Sequence, residues 1–186
     1  MSEVIKAIQN RTSIPRLSAP APSRAQMQTL FECAVRAPDH GRMRPWRFVV
    51  LEGKALNQLG QAFEMAGVAG DPAADETRRA RWRDMPLRAP MIIAVIARIQ
   101  PNPKVPDWEQ VAAVATAVQN IQLAARDLGF GSMWRTGEMT QAAAVKDFLG
   151  MAPADQVVAF LYVGTPEGES RAPEFQPLEQ CVEYRN

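Results

Sequence analysis

The amino-acid sequence predicts one α+β domain over residues 1–186, and three observations support that prediction. A long segment without charged residues, 111–125, repeats apolar side chains at the spacing of one helix face. Two shorter runs, 90–97 and 156–163, are rich in β-branched and other apolar residues, as is typical of buried strands. The length is sufficient for a sizeable core, and no linker or internal repeat divides the chain.

Composition excludes several classes of function. The chain has 21 Lys and Arg residues against 20 Asp and Glu residues, so its net charge gives no support for binding nucleic acid or an anionic membrane. Two distant cysteines and one histidine make no set of metal ligands, and we expect no metal. The N-terminus shows no apolar targeting segment, which predicts a cytoplasmic protein.

The first part of the chain predicts two helices joined by a proline-rich extended connector, residues 14–22. The first helix covers residues 2–10, with Val4, Ile5 and Ile8 predicted to face inward. The second covers residues 24–35, where Ser23 and Gln26 form the pattern of a capping box.

The middle of the chain predicts a strand, a weak helix, a loop and a charged helix. The strand covers residues 47–51, and the helix runs from Gly53 to about residue 66. Small residues at 67–74 predict a loop, and the charged helix that follows has Trp82 as its large apolar anchor.

The long helix is predicted over residues 107–128, with Asp107 as its cap and Gln110 completing a capping-box pattern. It is apolar almost all round, so we expect it to be buried. A homodimer would cover the side that the sheet leaves free. Thr140 is predicted to cap a later helix, which makes three or four strands alternating with helices.

Motifs for dinucleotide, triphosphate and acyl-transfer chemistry are missing from the sequence. The Gly129-Phe130-Gly131 segment follows a helix rather than a strand, which is not the Rossmann arrangement. There is no P-loop and no G-x-S-x-G elbow.

Three polar clusters lie at the ends of predicted elements. Arg11-Thr12-Ser13 suits a phosphate or is a solvated surface segment. The loop 36–44 holds His40 and three arginines, and His40 is either a ligand contact or an ordinary surface residue. Trp134-Arg135-Thr136 either flanks a planar aromatic ligand or ends an edge strand with one snorkelling arginine.

Three segments together are more specific than any one of them. They read N-R-T-S-x-x-R near the N-terminus, R-A-P-D-H-x-x-x-x-P-W after the second helix, and L-G-F-G-S-M-W-R-T-G after the long helix. In combination they resemble the nitroreductase flavoprotein family, especially its small YdjA-type members, which share a similar K-V-P-x-W-E-Q entry to the long helix. The resemblance covers nearly the whole chain.

This resemblance implies a homodimer with FMN at the subunit interface, a central mixed sheet flanked by helices, and the long buried helix at that interface. NADH or NADPH would be the reductant. The implied FMN contacts are Arg11, Thr12, Ser13, Arg36, His40, Trp134, Arg135 and Thr136. Of these, Arg36 and His40 would come from the partner subunit. The implied nicotinamide dinucleotide contacts are Ala124, Ala125, Arg126, Asp127, Leu128 and Gly129.

Two departures from the family pattern affect this site. Many members have P-S-x-x-N-x-Q-P-W, whereas Arg42 and Arg44 occupy the asparagine and glutamine positions here. Larger members also supply a basic pair near the C-terminus for the phosphate, where this chain offers only Arg171 and Arg185.

The implied activity is transfer of hydride from NAD(P)H through flavin N5 to a nitroaromatic, a quinone or a related small-molecule acceptor. Arg135, or an arginine of the 42–44 loop, would stabilise the negative charge of the reduced flavin, and His40 could deliver a proton. Two alternatives stay open: a different flavin reaction on the same fold, or a flavin-binding protein with little turnover, for storage or sensing.

Overall fold

A computed structural model of the chain describes residues 2–168 and 172–185. The α-helices of this part are α1 (Glu3–Asn10), α2 (Arg24–Ala34), α3 (Lys54–Gly70), α4 (Glu76–Asp84), α5 (Asp107–Asp127) and α6 (Ala143–Phe148). The strands are β1 (Leu17–Ser18), β2 (Trp46–Glu52), β3 (Met91–Ala97), β4 (Gly131–Arg135) and β5 (Gln156–Pro166). The predicted α+β class is confirmed, with five strands rather than three or four.

The sheet is built around β5, which pairs with β1, β3 and β4, while β2 pairs with β3. All of these pairs are antiparallel, so the expected mixed pairing is not found. β3 and β4 run in the same direction because α5 connects them as a crossover, but β5 lies between them and prevents a parallel ladder.

Alternation along β3 divides the core into two layers. Every residue of β3 is buried, which confirms the strand that was predicted from its apolar run. Ile92, Ala94 and Ile96 pack towards the layer that contains α3, α4 and α6. The intervening residues pack towards α2 and α5 on the other face. The sheet is therefore covered by helices on both faces.

The capping box predicted for α2 is confirmed. The Ser23 hydroxyl accepts a hydrogen bond from the Gln26 main-chain N–H at 3.4 Å, and the Gln26 side chain accepts one from the Ser23 N–H at 2.9 Å. These two bonds satisfy donors that the first turn of a helix leaves free, so the helix start is fixed locally.

The cap predicted for α5 is wrong, although the helix itself is confirmed. Pro106 is the N-cap residue and makes no side-chain capping bond. Gln110 is buried, and its amide bonds both main-chain groups of Gln100, at 3.0 Å to the N–H and 2.8 Å to the carbonyl oxygen. The buried Gln110 amide therefore bonds the loop that precedes α5 instead of capping the helix, since a buried amide needs hydrogen-bond partners.

The inward orientation predicted for the apolar residues of α1 is also wrong. Val4, Ile5 and Ile8 are 68%, 46% and 52% exposed, and α1 has no buried residue. The helix is amphipathic, but its apolar stripe is not covered within residues 2–168 and 172–185. An amphipathic pattern predicts that the apolar side of a helix is buried, but it does not predict which surface buries it.

The predicted loop at 67–74 begins too early, because α3 continues to Gly70. A Cβ atom added at Gly67 would lie 2.2 Å from the Trp82 ring, so Gly67 lets α4 pack directly on α3. The glycines favoured a loop prediction, but the close approach of Trp82 requires a residue without a side chain in the helix.

The helix start predicted at Thr140 is wrong as well. Thr140 lies in a 3₁₀ turn, and its hydroxyl donates to the Gly137 carbonyl oxygen at 2.7 Å. α6 begins at Ala143, with Ala142 as its N-cap residue and no side-chain cap. The φ angle of +94° at Gly137 permits this turn directly after β4.

The Gly67–Trp82 contact gives a stability prediction. Gly67→Ala should lower the free energy of unfolding by roughly 1–3 kcal/mol, because the new methyl group overlaps the indole. Gly70→Ala is a matched control in the same helix, since a Cβ there meets nothing within 4 Å. The free energy of unfolding of both variants can be measured by urea denaturation. Equal changes for the two substitutions would contradict the close contact between Gly67 and Trp82.

Candidate functional site

The polar segment after α1 lies beside the beginning of β4. The Ile14 main-chain N–H donates to the Ser132 carbonyl oxygen at 2.9 Å, which fixes Arg11, Thr12 and Ser13 next to this strand. The strand follows α5 through Gly129, whose φ angle of +84° ends the helix. The Arg11-Thr12-Ser13 cluster therefore lies beside the start of β4, and the Trp134-Arg135-Thr136 cluster lies at the other end of the same strand.

A cavity of about 260 Å³, which we call the Arg126 cavity, opens at this junction. Its lining comes from the segment after α1, the last turns of α5, β4 and the end of β5, and includes Arg11, Thr12, Gln122, Arg126 and Ser132. The Thr12 hydroxyl oxygen is buried and has no hydrogen-bond partner within the described residues. Such an atom usually indicates a missing partner such as a ligand or water.

At the other end of β4, a cavity of about 310 Å³ surrounds Arg135 and is called the Arg135 cavity. The Arg135 guanidinium lies 5.4 Å from the centre of the Tyr162 ring, and its Nε atom is buried without a partner in the described part of the chain. Aromatic and methionine side chains supply much of the remaining wall: Phe63, Met85, Met133, Trp134, Met139 and Phe160. The cavity is apolar with a positive group, which suits a planar ligand that carries or acquires negative charge.

Trp134 and Arg135 do not present their polar groups on the same side. The Trp134 indole N–H donates to the Val158 carbonyl oxygen at 3.1 Å, and its ring packs with the α2–α5 layer of the core. Arg135 contacts Tyr162 of the opposite layer. Successive side chains of a strand point to opposite faces of the sheet, so Trp134 and Arg135 lie on different faces. Arg135 is therefore the residue whose charge is available in the cavity.

Tyr162 was not identified from the sequence, yet it forms the floor beneath Arg135. Its hydroxyl donates to the Met85 carbonyl oxygen at 3.1 Å. Burial raises the pKa of Tyr162 to about 12, and the positive charges of Arg135 and Arg88 oppose part of that rise. The tyrosine therefore stays neutral at ordinary pH and holds the guanidinium through its ring.

The histidine loop is strained and is held at the start of α5. His40 Nδ1 lies 2.5 Å from Glu109 Oε2, and Asp39 accepts a hydrogen bond from the Arg44 main-chain N–H at 2.7 Å. Arg42 and Arg44 have φ angles of +54° and +49°, a region that non-glycine residues rarely adopt. Strain of this kind often accompanies a functional loop.

One chain does not bring His40 to the Arg126 cavity. His40 is fixed to Glu109, whereas the cavity begins at Gln122. These two helix positions are about 20 Å apart along the α5 axis at the usual rise per residue. Arg36 is likewise elsewhere, in an apolar groove of about 510 Å³ between α1, α2 and α5, which we call the helix groove.

The six residues expected to contact the dinucleotide do not form one surface. Arg126 and Gly129 line the Arg126 cavity, and Ala125 is completely buried in the core. The remaining three line the helix groove: Ala124, Asp127 and Leu128. Helical periodicity distributes consecutive residues around the axis, so a sequence stretch on a helix cannot act as a single contact surface.

Residues 2–168 and 172–185 contain no group of three or more His, Cys, Asp or Glu side chains arranged to hold a metal ion. No helix in this part of the chain is long and apolar enough to cross a membrane. Of the two arginines considered for a C-terminal basic pair, Arg171 lies outside the described residues, and Arg185 pairs with Glu183 at 2.8 Å.

Solved structures share this fold over the whole chain. A nitroreductase-like family protein from Bacillus cereus superposes with a TM-score of 0.85, covering 100% of this chain and 97% of that one at 22% identity. A candidate nitroreductase from Desulfovibrio desulfuricans, crystallised with FMN, gives a TM-score of 0.76 at 23% identity and covers 100% and 98% of the two chains. The chain therefore has the nitroreductase-like fold.

Sequence comparison identifies the family. The model of the nitroreductase family matches residues 8–165. YdjA of Escherichia coli strain K12, named as a candidate NAD(P)H nitroreductase, is 39% identical over 168 residues, which are 89% of each chain. A Haemophilus influenzae protein named in the same way is 36% identical over 88% of each chain. The chain belongs to the nitroreductase family, as the three sequence segments predicted.

Tyr162 gives a prediction of pH dependence. Its pKa in the folded chain, about 12, lies above the ordinary value of 10.0, so its neutral form stabilises the fold fully below pH 10. That contribution is lost as the pH rises from 10 to 12. In an absorbance titration, Tyr162→Phe should remove the phenolate step near pH 12, whereas Tyr184→Phe, a control at an exposed position, should leave it. A step near pH 12 that survives in Tyr162→Phe would contradict the assignment.

Proposed function

We propose that this chain is an FMN-dependent oxidoreductase that uses NADH or NADPH to reduce a nitroaromatic, a quinone or a related acceptor. The observation that carries the proposal is a pair of buried polar atoms, Thr12 Oγ1 and Arg135 Nε, at opposite ends of β4, neither of which has a hydrogen-bond partner among residues 2–168 and 172–185. The strand separates its two ends by about 13 Å. A ligand with a phosphate at one end and a planar ring system at the other fits this arrangement.

In this proposal each cluster has a separate role. Arg11, Thr12 and Ser13 hold the phosphate and the ribityl chain, through charge at Arg11 and hydroxyl groups at the other two. Arg135 places positive charge beside the ring system, on an apolar wall that excludes water. FMN, when bound, supplies the hydride chemistry, so the protein need not provide a nucleophile.

The proposal includes a homodimer whose partner subunit supplies Arg36 and His40. It is supported by the separation of about 20 Å between the Glu109 and Gln122 positions of α5, which keeps His40 away from the Arg126 cavity of its own chain. It is also supported by the exposed apolar stripe of α1 and by the helix groove beside it. We further propose a cytoplasmic location.

A second candidate is a flavin-binding protein with little turnover. The observation that favours it is the loop that holds Arg42 and Arg44, both in left-handed backbone conformation, where many family members have asparagine and glutamine. Two extra guanidinium groups near a flavin would favour binding of the anionic reduced form and could slow its reoxidation.

The visible absorption spectrum of the purified protein, before and after anaerobic NADH or NADPH, separates these candidates. We expect a flavin spectrum that bleaches within seconds. A flavin that stays oxidised would support storage or sensing. A colourless protein that takes up no added FMN would contradict both.

Arg135 gives a prediction on the flavin itself. Arg135→Gln should lower the midpoint potential of bound FMN by about 30–60 mV, since a hydrogen bond to a charged group contributes about 1.5–3 kcal/mol and two electrons are transferred. Arg81→Gln is the control, because Arg81 is exposed on α4 and does not line the Arg135 cavity. An unchanged potential in Arg135→Gln would exclude Arg135 from charge stabilisation.

The shared site gives a complementation prediction. Arg11→Ala and His40→Ala should each impair turnover, but a refolded equimolar mixture should regain activity from about a quarter of the wild-type number of sites. Half of its dimers are mixed, and each mixed dimer has one intact site if the two residues come from different subunits. No recovery would mean that Arg11 and His40 act within one chain.

A further inference from the structure

We propose that residues 39–45 and 98–109 form a surface that recognises an oxyanion on an aromatic ligand of the flavin site. We call this surface the basic patch, and its cations are Arg42, Arg44, Arg98 and Lys104. The proposal rests on the proposed function, and it names the chemical class of the ligand that approaches the flavin. Two ligands of that function can carry the group: an acceptor with a carboxylate, and NADPH through its 2′-phosphate.

Tertiary contacts hold the two segments of the basic patch together. The Met43 carbonyl oxygen accepts a hydrogen bond from the Gln100 side chain at 2.8 Å, and the Met43 sulfur accepts one from the Asn102 side chain at 3.3 Å. The Arg98 main-chain N–H donates to the Pro45 carbonyl oxygen at 2.6 Å. Each of the four cations lies within two residues of one of these bonds, so the four charges occupy one region of the surface.

The charge balance of the basic patch is the first argument. All four cations are exposed, and none of their side chains makes an ion pair or a hydrogen bond within residues 2–168 and 172–185. The two segments contain three carboxylates. Asp39 bonds the Arg44 main-chain N–H, Glu109 bonds His40, and Asp107 makes no bond in the described part of the chain. The patch is therefore positive and attracts an anion from solvent.

The backbone of the loop is the second argument. Arg42 and Arg44 have φ angles of +54° and +49°, in the left-handed region that favours glycine and asparagine. Many family members have asparagine at the position of Arg42. This chain therefore places a guanidinium where its own backbone favours a smaller residue. Such strain persists where the side chain has a function that compensates for it.

Trp108 supplies an aromatic ring next to the basic patch. It is 68% exposed and lies in the first turn of α5, directly before the Glu109 that bonds His40. An exposed indole can stack on another planar ring and bury apolar area. A ring beside several cations fits a ligand that combines a planar ring with an oxyanion.

His40 connects the basic patch to the flavin in the proposed dimer. Arg42 and Arg44 follow His40 by two and four residues, so their Cα atoms lie within about 7 Å and 14 Å of the His40 Cα atom. A partner subunit that brings His40 to the flavin therefore brings the basic patch to the same entrance.

The competing explanation is that Arg42 and Arg44 stabilise the reduced flavin itself. Exposed charges are screened by water and salt, whereas the Arg135 Nε atom is buried in an apolar cavity. The two exposed arginines are therefore better placed to act on a ligand that arrives from solvent. The midpoint potential of bound FMN separates the two roles, because ligand recognition predicts that it stays unchanged when both arginines are replaced.

The experiment compares two acceptors for the holoprotein, 4-nitrobenzoate and the uncharged 4-nitrobenzamide. The double variant Arg42→Asn/Arg44→Asn should lower the ratio of their kcat/KM values about tenfold, since each exposed charge contributes up to about fivefold. Added salt should lower the ratio in the wild type and have little effect in the double variant. Arg81→Gln, an exposed arginine on α4, is the control and should keep the wild-type ratio.

Two comparisons separate charge from loop structure. Arg42→Lys/Arg44→Lys keeps the charges and should keep most of the preference for 4-nitrobenzoate. The asparagine variant should unfold at an equal or higher urea concentration than the wild type, because asparagine adopts the left-handed region more readily. A lysine variant that loses the preference completely, or an asparagine variant that unfolds at lower urea concentration, would assign the arginines to loop structure and overturn the proposal.

A second arm identifies the source of the oxyanion. If NADPH supplies it, the acceptor ratio stays constant in the asparagine variant. The ratio of NADPH to NADH in kcat/KM for anaerobic reduction of the flavin then falls about tenfold instead. If neither ratio changes, or if only the midpoint potential of FMN changes, the basic patch does not recognise a ligand and the proposal is overturned.

Failure of the proposed function would look different. A wild-type protein that binds no FMN, or whose FMN neither NADH nor NADPH reduces, would contradict that function. Ligand-induced stabilisation would then test the basic patch alone: 4-nitrobenzoate should raise the thermal midpoint of the wild type more than that of the asparagine variant. Equal shifts in the two proteins would overturn the basic patch as well.

Discussion

The pairing of β5 with three other strands is the constraint on which the rest of this structure depends. Because β5 separates β3 from β4, the chain must cross the sheet between them, and α5 makes that crossing. The crossing delivers the end of α5 to the beginning of β4, beside the segment that follows α1. Thr12 Oγ1 and Arg135 Nε, the two buried polar atoms that have no hydrogen-bond partner in the described part of the chain, lie near the two ends of β4.

Elements whose burial follows from local pattern were predictable from the sequence. β3 is buried throughout, as its apolar run predicted, because an apolar run demands burial on any fold. The long helix α5 was expected to be buried all round, but in the single chain only the face that packs on the sheet is buried. The wrong predictions concern contacts between residues that are not adjacent in the sequence. Gln110 bonds the Gln100 main chain instead of completing a cap, and Gly67 continues a helix because Trp82 of α4 needs its space. The sequence contains these residues, but their partners are defined only by the tertiary structure.

The candidate site shows the same division. Arg11, Thr12 and Arg135 were found through short motifs that resemble a known family, and their placement at the ends of β4 is consistent with those motifs. Tyr162 was missed because its contact with Arg135 depends on the register of β4 against β5. Arg126 was assigned with its sequence neighbours, although helical geometry puts it in a different cavity from Asp127. The residue types indicated the chemistry of the site. The register of β4 against β5 and the positions of residues around α5 determined which side chains lie in the same cavity.

Two features of the single chain point to the same missing surface. The apolar stripe of α1 is exposed, and the strained histidine loop is fixed at the opposite end of α5 from the Arg126 cavity. A stripe of this kind costs free energy in water unless another surface covers it, and strain in a loop persists only where it serves packing or function. The homodimer proposed above would satisfy both if its two-fold axis were perpendicular to α5, since only such an axis presents each end of that helix to the opposite end of its mate. Burial of α1 and completion of the site would then be the same event, so binding of the cofactor and association of the subunits would stabilise each other.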